Sequence, residues 1–326
     1  MDNSRRSRTY PQAKCHTWHV TLTHMAAMKP GDLLVRLTPA AALETSERDV
    51  QDAREAGAVG YMSRLLVQAT LPHRKPADGD TYYERRNGAL SLSVLSPPHV
   101  GLPYGTYPRL LLAWITTEAV RTKSPELELG DSLSQFMCQL GLAPTGGRWG
   151  SISRLRDHCF RLFTSTISWT YEGDASWAHG GIKPIEHAEM FWDPKRPEQL
   201  ALGGPMRSFI RLSPSFFTEL IARPVPLDMR VLKQLAKQRS PLAIDIYTWL
   251  TYRVSYLREP VTVQWEWLAW QFGGEYTHTR QFKQKFIHWL TIVRVVADWH
   301  DLHVNPVKQG LRIHPSLPHV LPSYLS

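Results

Sequence analysis

The chain has 326 residues, 43% of them apolar, with a formal net charge of +9 and a pI near 9.5. This length accommodates two or three domains, and the apolar content is that of a folded protein. Three scattered cysteines exclude a disulfide framework, so we expect a reducing compartment, the cytoplasm. We expect neither a secretory signal nor a membrane span, since the basic N-terminus lacks an apolar core and no apolar run reaches ~18 residues. The positive charge favours nucleic acid as a partner, or serves solubility alone.

The first sixty residues predict an N-terminal extension. Its arginines from Arg5 to Arg8 form a basic arm that either lies on phosphates or is an ordinary disordered terminus. Cys15 is followed by His16, His19 and His24, but the spacing of a zinc site is missing, so we expect no metal. A helix is predicted from Glu44 to Ala69.

A hairpin and then a helical unit follow this extension. Residues Thr81 to Leu95 alternate around Asn87-Gly88, a strong hairpin signal. An apolar helix is predicted over Arg109 to Thr122. The elements predicted after that helix are a strand at Leu127–Leu129, a short helix at Ser132–Leu140, a basic amphipathic helix at Arg148–Phe163, and strands at Ser165–Tyr171, Ala188–Trp192 and Phe209–Leu212, with loops at Asp174–Pro184 and Pro194–Pro205.

The same order of elements returns near the C-terminus. A proline pair at Arg223–Pro226 predicts a hinge, and helices are predicted at Pro214–Ala222, Asp228–Gln238 and Leu242–Leu257. The elements that complete the second copy are an edge strand at Val261–Val263, a helix at Trp265–Phe272 stopped by Gly273-Gly274, a basic helix capped by Thr277 or Thr279, and a hairpin from Trp299–Val304 through a turn at Asn305-Pro306 to Leu311–Ile313.

This order, helix, strand, helix, turn, basic helix and hairpin, is that of a winged helix. We therefore predict an α+β fold with two tandem winged-helix domains and an N-terminal extension. The predicted boundaries are residues 1–60 for the extension, 61–222 for the first domain and 223–326 for the second. The alternative is that the basic faces are merely solvated, since fold alone does not establish function.

A family resemblance joins these elements. The sequence from Leu102 to Trp114 resembles RepA-type plasmid replication initiators of Gram-negative bacteria, and so do the segments from Gly130 to Phe136 and from Gly146 to Gly150. The resemblance extends from about Tyr61 to His314. It implies tandem winged-helix domains that bind double-stranded DNA at repeated origin sites (iterons), help to open the duplex, and recruit the host replication initiator and helicase. It also implies a switch between a DNA-binding monomer and a repressing homodimer that controls plasmid copy number.

No enzymatic motif accompanies the resemblance. The glycine-rich run from Gly141 to Arg148 lacks the Gly-Lys-Ser/Thr ending of a phosphate loop. The two residues between His16 and His19 break the His-hydrophobic-His pattern of nickases, and the carboxylates are dispersed. We therefore expect a protein without catalytic residues or cofactor. A transcriptional repressor or autoregulator of the same fold, without initiator activity, is the alternative.

The two basic helices and the last hairpin supply the predicted DNA contacts. On the second basic helix, Arg280 suits guanine and Gln284 suits adenine. Tryptophans around them could stack on bases, but their spacing assigns most of Trp265, Trp267, Trp270, Trp289 and Trp299 to the core. The predicted DNA-binding residues are Arg148, Ser151, Arg154, His158, Arg161, Thr279, Arg280, Lys283, Gln284, Ile287, Lys308 and Arg312.

Overall fold

The structure, a computed structural model, describes residues 53, 56–130, 132–145, 150–173, 176–190, 208–273, 276 and 278–320. The predicted basic arm, the histidines near Cys15, the predicted helix N-terminal to residue 53, Arg148, Gly274 and Thr277 lie outside these residues. The fold is α+β, as predicted, and residues 51–326 group into a single unit by their contacts.

The first elements of this unit are a strand, a short helix and a hairpin: β1 (Val59–Met62), α1 (Arg64–Gln68), β2 (Tyr82–Asn87) and β3 (Leu90–Leu95). The hairpin is as predicted, and Asn87 pairs with Leu90 across its turn. The helix predicted over Glu44–Ala69 is wrong over Val59–Met62, whereas Arg64–Gln68 is helical as predicted. The four residues of β1 pair with a distant segment of the chain, a contact that local apolar spacing does not encode.

The first winged-helix unit contains an inserted hairpin. Its elements are α2 (Thr106–Thr122), β4 (Glu126–Gly130), α3 (Leu133–Gln139), α4 (Ser151–Thr164), the inserted strands β5 (Thr166–Glu172) and β6 (Trp177–Ile182), then β7 (Ile185–Glu189) and β8 (Ser208–Leu212). The winged-helix sheet has the order β4-β8-β7, whereas β5 and β6 join the first hairpin in a sheet of order β2-β3-β5-β6.

Two sequence predictions in this unit are therefore wrong. The strand that follows the basic helix was expected to belong to the repeated winged helix, but β5 pairs with β3 and β6. The segment Asp174–Pro184 was expected to be a loop, but most of it is β6. Strand alternation shows that a segment is extended, yet it does not show which partner the segment pairs with.

A strand at the predicted hinge connects the two winged-helix units. It follows α5 (Pro214–Ala222) and precedes α6 (Met229–Lys237), and it is β9 (Val225–Asp228). Antiparallel pairing joins β9 to β1, with Val59 opposite Asp228 and Met62 opposite Val225. The predicted hinge is wrong in this respect, because the proline-bearing segment is held in a two-stranded sheet.

The second winged-helix unit is uninterrupted. It consists of α7 (Pro241–Tyr256), β10 (Val261–Gln264), α8 (Trp265–Phe272), α9 (Thr279–Val296), β11 (Val304–Pro306) and β12 (Gly310–Ile313). The sheet order is β10-β12-β11, so β10 is an edge strand as predicted. The predicted turn at Asn305-Pro306 is wrong. Both residues pair with β12, and the chain turns over residues 307–309.

Several helices begin at a side chain that caps the backbone. The Ser132 hydroxyl accepts a hydrogen bond from the Gln135 amide at 3.2 Å, and the Ser240 hydroxyl accepts one from the Ala243 amide at 3.3 Å. The Asp228 carboxylate caps α6 in the same way at 2.8 Å. Such caps satisfy amides that a helix leaves unpaired at its start, which explains why these helices begin where they do.

A buried ion pair crosses from α2 of the first unit to α7 of the second. The Arg109 Nε and Nη2 atoms each donate to one Asp245 carboxylate oxygen at 2.7 Å. Arg109 also donates to the carbonyls of Leu71, Pro72 and Gly105, at 2.7 to 3.2 Å. Both side chains are at most 6% exposed. The guanidinium is therefore fully engaged, as a buried charge must be.

His73 adds a third polar group to this ion pair. Its Nε2 lies 2.8 Å from Asp245 Oδ2, and burial lowers the pKa of the imidazole below its ordinary value despite the carboxylate. Neutral His73 therefore donates its Nε2–H to the carboxylate. Burial pushes the pKa of Asp245 upward, but Arg109 and His73 outweigh that effect and hold it below its ordinary value.

Candidate nucleic-acid interface

Helix α9 turns a polar side to solvent because its apolar stripe is used in packing. Phe282, Phe286 and Leu290 are at most 4% exposed, and the Phe286 ring lies 6.0 Å from that of Trp265. The exposed side chains on the other side of the first three turns are Thr279, Arg280, Gln281, Gln284, Lys285 and His288. Arginine and glutamine side chains at the start of a helix suit base edges in a major groove.

The structure places the predicted residues of α9 in different environments. Thr279, Arg280 and Gln284 are exposed as expected, whereas Ile287 is half-buried against the core. Gln281, Lys285 and His288 are exposed on the same side but were not among the predicted residues. The signal was available, because all three lie away from the phenylalanine stripe at helical spacing.

Lys283 contacts the wing, the hairpin of β11 and β12. Its Nζ lies 5.0 Å from the centre of the Trp265 ring and donates to the Val307 carbonyl at 3.4 Å. This contact joins α9 to the turn at residues 307–309. Lys283 thus links α9 to the wing.

The wing carries the last two predicted contacts. Lys308 lies in its turn and Arg312 on β12, and both are exposed. Gly310 fixes the wing against β10, since a Cβ atom there would lie 2.0 Å from the Val263 carbonyl oxygen. Only glycine allows this approach of the two strands.

In the first unit, two predicted residues of α4 are buried. The expectation that Ser151 and His158 lie off the apolar side is wrong, since each is 7% exposed. The Ser151 hydroxyl donates to the Ala143 carbonyl at 2.7 Å and accepts from the Thr145 amide at 2.8 Å, which secures the loop before the helix. In this arrangement neither Ser151 nor His158 is presented to a duplex.

His158 sits between two tyrosines of the Leu102–Trp114 segment. Its ring stacks on Tyr107 at 4.8 Å and 7°, and meets Tyr104 edge-on at 4.9 Å. Burial lowers the pKa of His158 to about 4, so the ring is neutral at pH 7. The apolar side of α4 is therefore wider than its leucines indicate, because a distant segment supplies the partner rings.

Arg161 is largely enclosed, whereas Arg154 is open. The Arg161 side chain is 16% exposed, its Nε donates to Asp157 at 2.8 Å, and its guanidinium lies 5.6 Å from the centre of the Tyr104 ring. Arg154 and Arg156 are both exposed on α4. These two arginines, with Arg148 outside the described residues, are the candidates for phosphate contact.

Two of the five tryptophans assigned mainly to the core are exposed. Trp265 and Trp299 are buried and Trp289 is half-buried, but Trp267 and Trp270 on α8 are 56% and 61% exposed. Trp270 lines an open groove of about 750 Å³ between the β2–β3 turn and the start of α9.

The residues described by the structure contain no group of three or more His, Cys, Asp or Glu that could hold a metal ion. None of the helices within them is long and apolar enough to span a bilayer.

Comparison with known proteins identifies the family. Residues 102–267, about half of the chain, match the family described as plasmid-encoded RepA protein. The chain belongs to this RepA family. The match begins at the Leu102–Trp114 segment, whose Tyr104, Tyr107 and Arg109 hold α4 and α7. It ends within α8, so the assignment of α9 and the wing rests on geometry.

Solved structures similar in fold include two crystal structures of domains 2 and 3 of RctB, one of them of selenomethionine derivatives. Both are 14% identical in sequence; their TM-scores are 0.49 and 0.46, over 76% of this chain and 95% and 94% of theirs. No curated relative matches the sequence.

We expect the exposed arginines of α4 to contribute salt-dependent phosphate contacts. Replacing Arg154 and Arg156 with glutamine should lower the slope of log K against log salt by up to about two units. Each phosphate contact that is lost reduces the number of counterions released from the DNA on binding. Lys237→Gln with Arg258→Gln removes the same charge from exposed positions elsewhere. An equal change of slope in both double variants would show that α4 does not contact the DNA.

Proposed function

We propose that this member of the RepA family is a plasmid replication initiator that binds iterons in the origin, promotes opening of the duplex and recruits the host initiator and helicase. The proposal includes action in the cytoplasm by binding, without catalysis or cofactor, and exchange between a monomer and a homodimer. One observation carries it: a single chain of this family contains two winged-helix units, each with exposed arginines on its basic helix.

The runner-up is a winged-helix repressor without initiator activity. A chain with two DNA-reading units favours a long, directly repeated site over the short site of one unit. The deciding experiment supplies the chain in trans to a plasmid that carries the cognate origin but no initiator gene. Maintenance of that plasmid supports the proposal, whereas specific origin binding without maintenance supports the repressor.

We expect Arg280→Ala to weaken specific binding more than non-specific binding. A bidentate contact to guanine discriminates by roughly 1–3 kcal/mol, whereas a phosphate contact discriminates little. The measurement is the dissociation constant for an origin duplex and for a random duplex at the same salt concentration. Arg294→Ala is the matched control, since Arg294 is exposed on the same helix but lies near its C-terminus. Equal losses on both duplexes would show that Arg280 contacts only phosphate.

A further inference from the structure

The contacts that the second winged-helix unit makes with the preceding part of the chain form what we call the seam, which consists of Gln68, Thr70 and Arg109 on one side and Asp245 and Gln271 on the other. From it we propose that Gln271, together with the Arg109–Asp245 pair, positions α9 relative to α4 and so fixes the base-pair spacing between the two DNA segments that the units read. The inference rests on the proposed function, since it concerns how the same two helices meet DNA.

Gln271 lies on α8, the helix that precedes α9, yet its partners lie at the end of α1 and just after it, some two hundred residues earlier in the chain. Its side-chain amide donates to the main-chain carbonyl of Gln68 at 3.0 Å, and its main-chain carbonyl accepts from the Thr70 hydroxyl at 3.2 Å. Gln271 is 3% exposed. A buried glutamine bonded in this way has a defined position, because any displacement leaves polar groups unpaired.

The Gln68 carbonyl is a junction of three elements. It accepts from Gln271 on α8 and also from the Asn87 side chain on β2, at 2.9 Å. Buried Arg85, two residues earlier on β2, reaches the Trp270 carbonyl at 3.4 Å. The second unit's helix-turn-helix is thus bound to α1 and to the first hairpin, in addition to its own core.

The Arg109–Asp245 pair holds the other end of the seam. It joins α2, whose N-terminal segment encloses His158 of α4, to α7, which packs on α9 through Trp249 and Phe286 with ring centres 6.4 Å apart. The basic helices α4 and α9 therefore each pack directly on one of the two helices that carry the ion pair, α2 and α7. The chain meets DNA as one body with a set offset between α4 and α9.

A fixed offset has a measurable consequence. Adding one base pair between the two sub-sites moves them apart by ~3.4 Å and turns one by roughly 35°, because B-DNA has about 10–10.5 base pairs per turn. A rigid chain then keeps the base contacts of one unit only, which lowers affinity by roughly ten- to a hundredfold. A variant with a weakened seam should recover part of the lost affinity for the duplex with altered spacing.

The test selects bound sequences from duplexes with a random central region, using the full-length chain and its Gln271→Ala variant. The wild type should enrich two motifs at one spacing, and the variant should enrich the same motifs at several spacings. Gln139→Ala is the matched control, since it removes an amide that accepts from Trp114 Nε1 at 3.1 Å inside the first unit; it should keep the single spacing.

A second variant tests the same proposal at a different part of the seam, in case Gln271→Ala does not fold. Arg109→Met with Asp245→Leu removes the ion pair without leaving a charge buried, although the carbonyls that Arg109 bonds and the His73 ring lose a partner. Circular dichroism checks that this variant folds, and it too should broaden the spacing. Unchanged spacing in both folded variants, or variable spacing in the wild type, overturns the proposal. A wild type that enriches no sequence overturns the proposed function instead.

Discussion

Replacing Asp245 with alanine is expected to lower the free energy of unfolding by about 3–5 kcal/mol. The substitution leaves Arg109 buried, with its Nε and Nη2 atoms facing a space that no longer holds an acceptor. A buried charge without its partner costs far more than the pair contributes when intact. Urea unfolding followed by circular dichroism measures the change.

Two comparisons show whether burial is the cause. Glu126→Ala breaks an ion pair with Arg211 whose side chains are about half exposed, at 52% and 50%, and it should cost at most about 1 kcal/mol. Arg109→Met with Asp245→Leu should recover only part of the loss, because no charge remains buried but the carbonyls bonded by Arg109 and the His73 ring lose a partner. If Asp245→Ala lowers the free energy of unfolding no more than Glu126→Ala does, water reaches the ion pair at this seam. The ion pair then does not hold the two units together.

The second large effect is acid destabilisation through His158. Its pKa is about 4 in the folded chain and 6.5 in the unfolded chain, so the unfolded state binds the proton first as the pH falls. The stabilisation is complete above pH 6.5 and is lost progressively as the pH falls toward about 4. A depression of that size corresponds to roughly 3 kcal/mol.

His158→Phe should remove this loss, since phenylalanine retains the ring between Tyr104 and Tyr107 but does not titrate. The measurement is the free energy of unfolding of both proteins at several pH values from 7 to 4.5. The carboxylates and the other histidines titrate in both proteins. The difference between the two pH profiles of the free energy of unfolding therefore reports on His158 alone. His158→Gln should be less stable at every pH but show the same flatter profile; identical profiles for all three proteins would mean that His158 is hydrated.

Much of the second unit was predictable from its sequence because its elements are local. Helix α8 has the predicted bounds, Trp265 to Phe272, since its apolar residues recur at helical spacing and Gly273 follows. The stripe through Phe282, Phe286 and Leu290 likewise fixed which side of α9 is exposed. Each of these predictions depends on neighbours within one or two helical turns.

The errors have a common origin in contacts between distant segments. Strand β1 was predicted as helix and β9 as a hinge because neither segment shows its partner. The burial of His158 depends on tyrosines some fifty residues earlier in the chain. The DNA contacts themselves stay predictions, although the geometry shows which side chains are exposed to make them.

The pairing of β1 with β9 also has a consequence for synthesis on the ribosome. Strand β1 emerges before any other strand described, but its partner follows the entire first winged-helix unit. At about 5–20 residues per second, β1 waits roughly ten to thirty seconds before Val225–Asp228 is made. During that interval the nascent chain exposes an unpaired strand, the kind of segment that chaperones protect from aggregation. A chain whose synthesis ends before residue 228 therefore lacks the partner of β1 and is prone to aggregation.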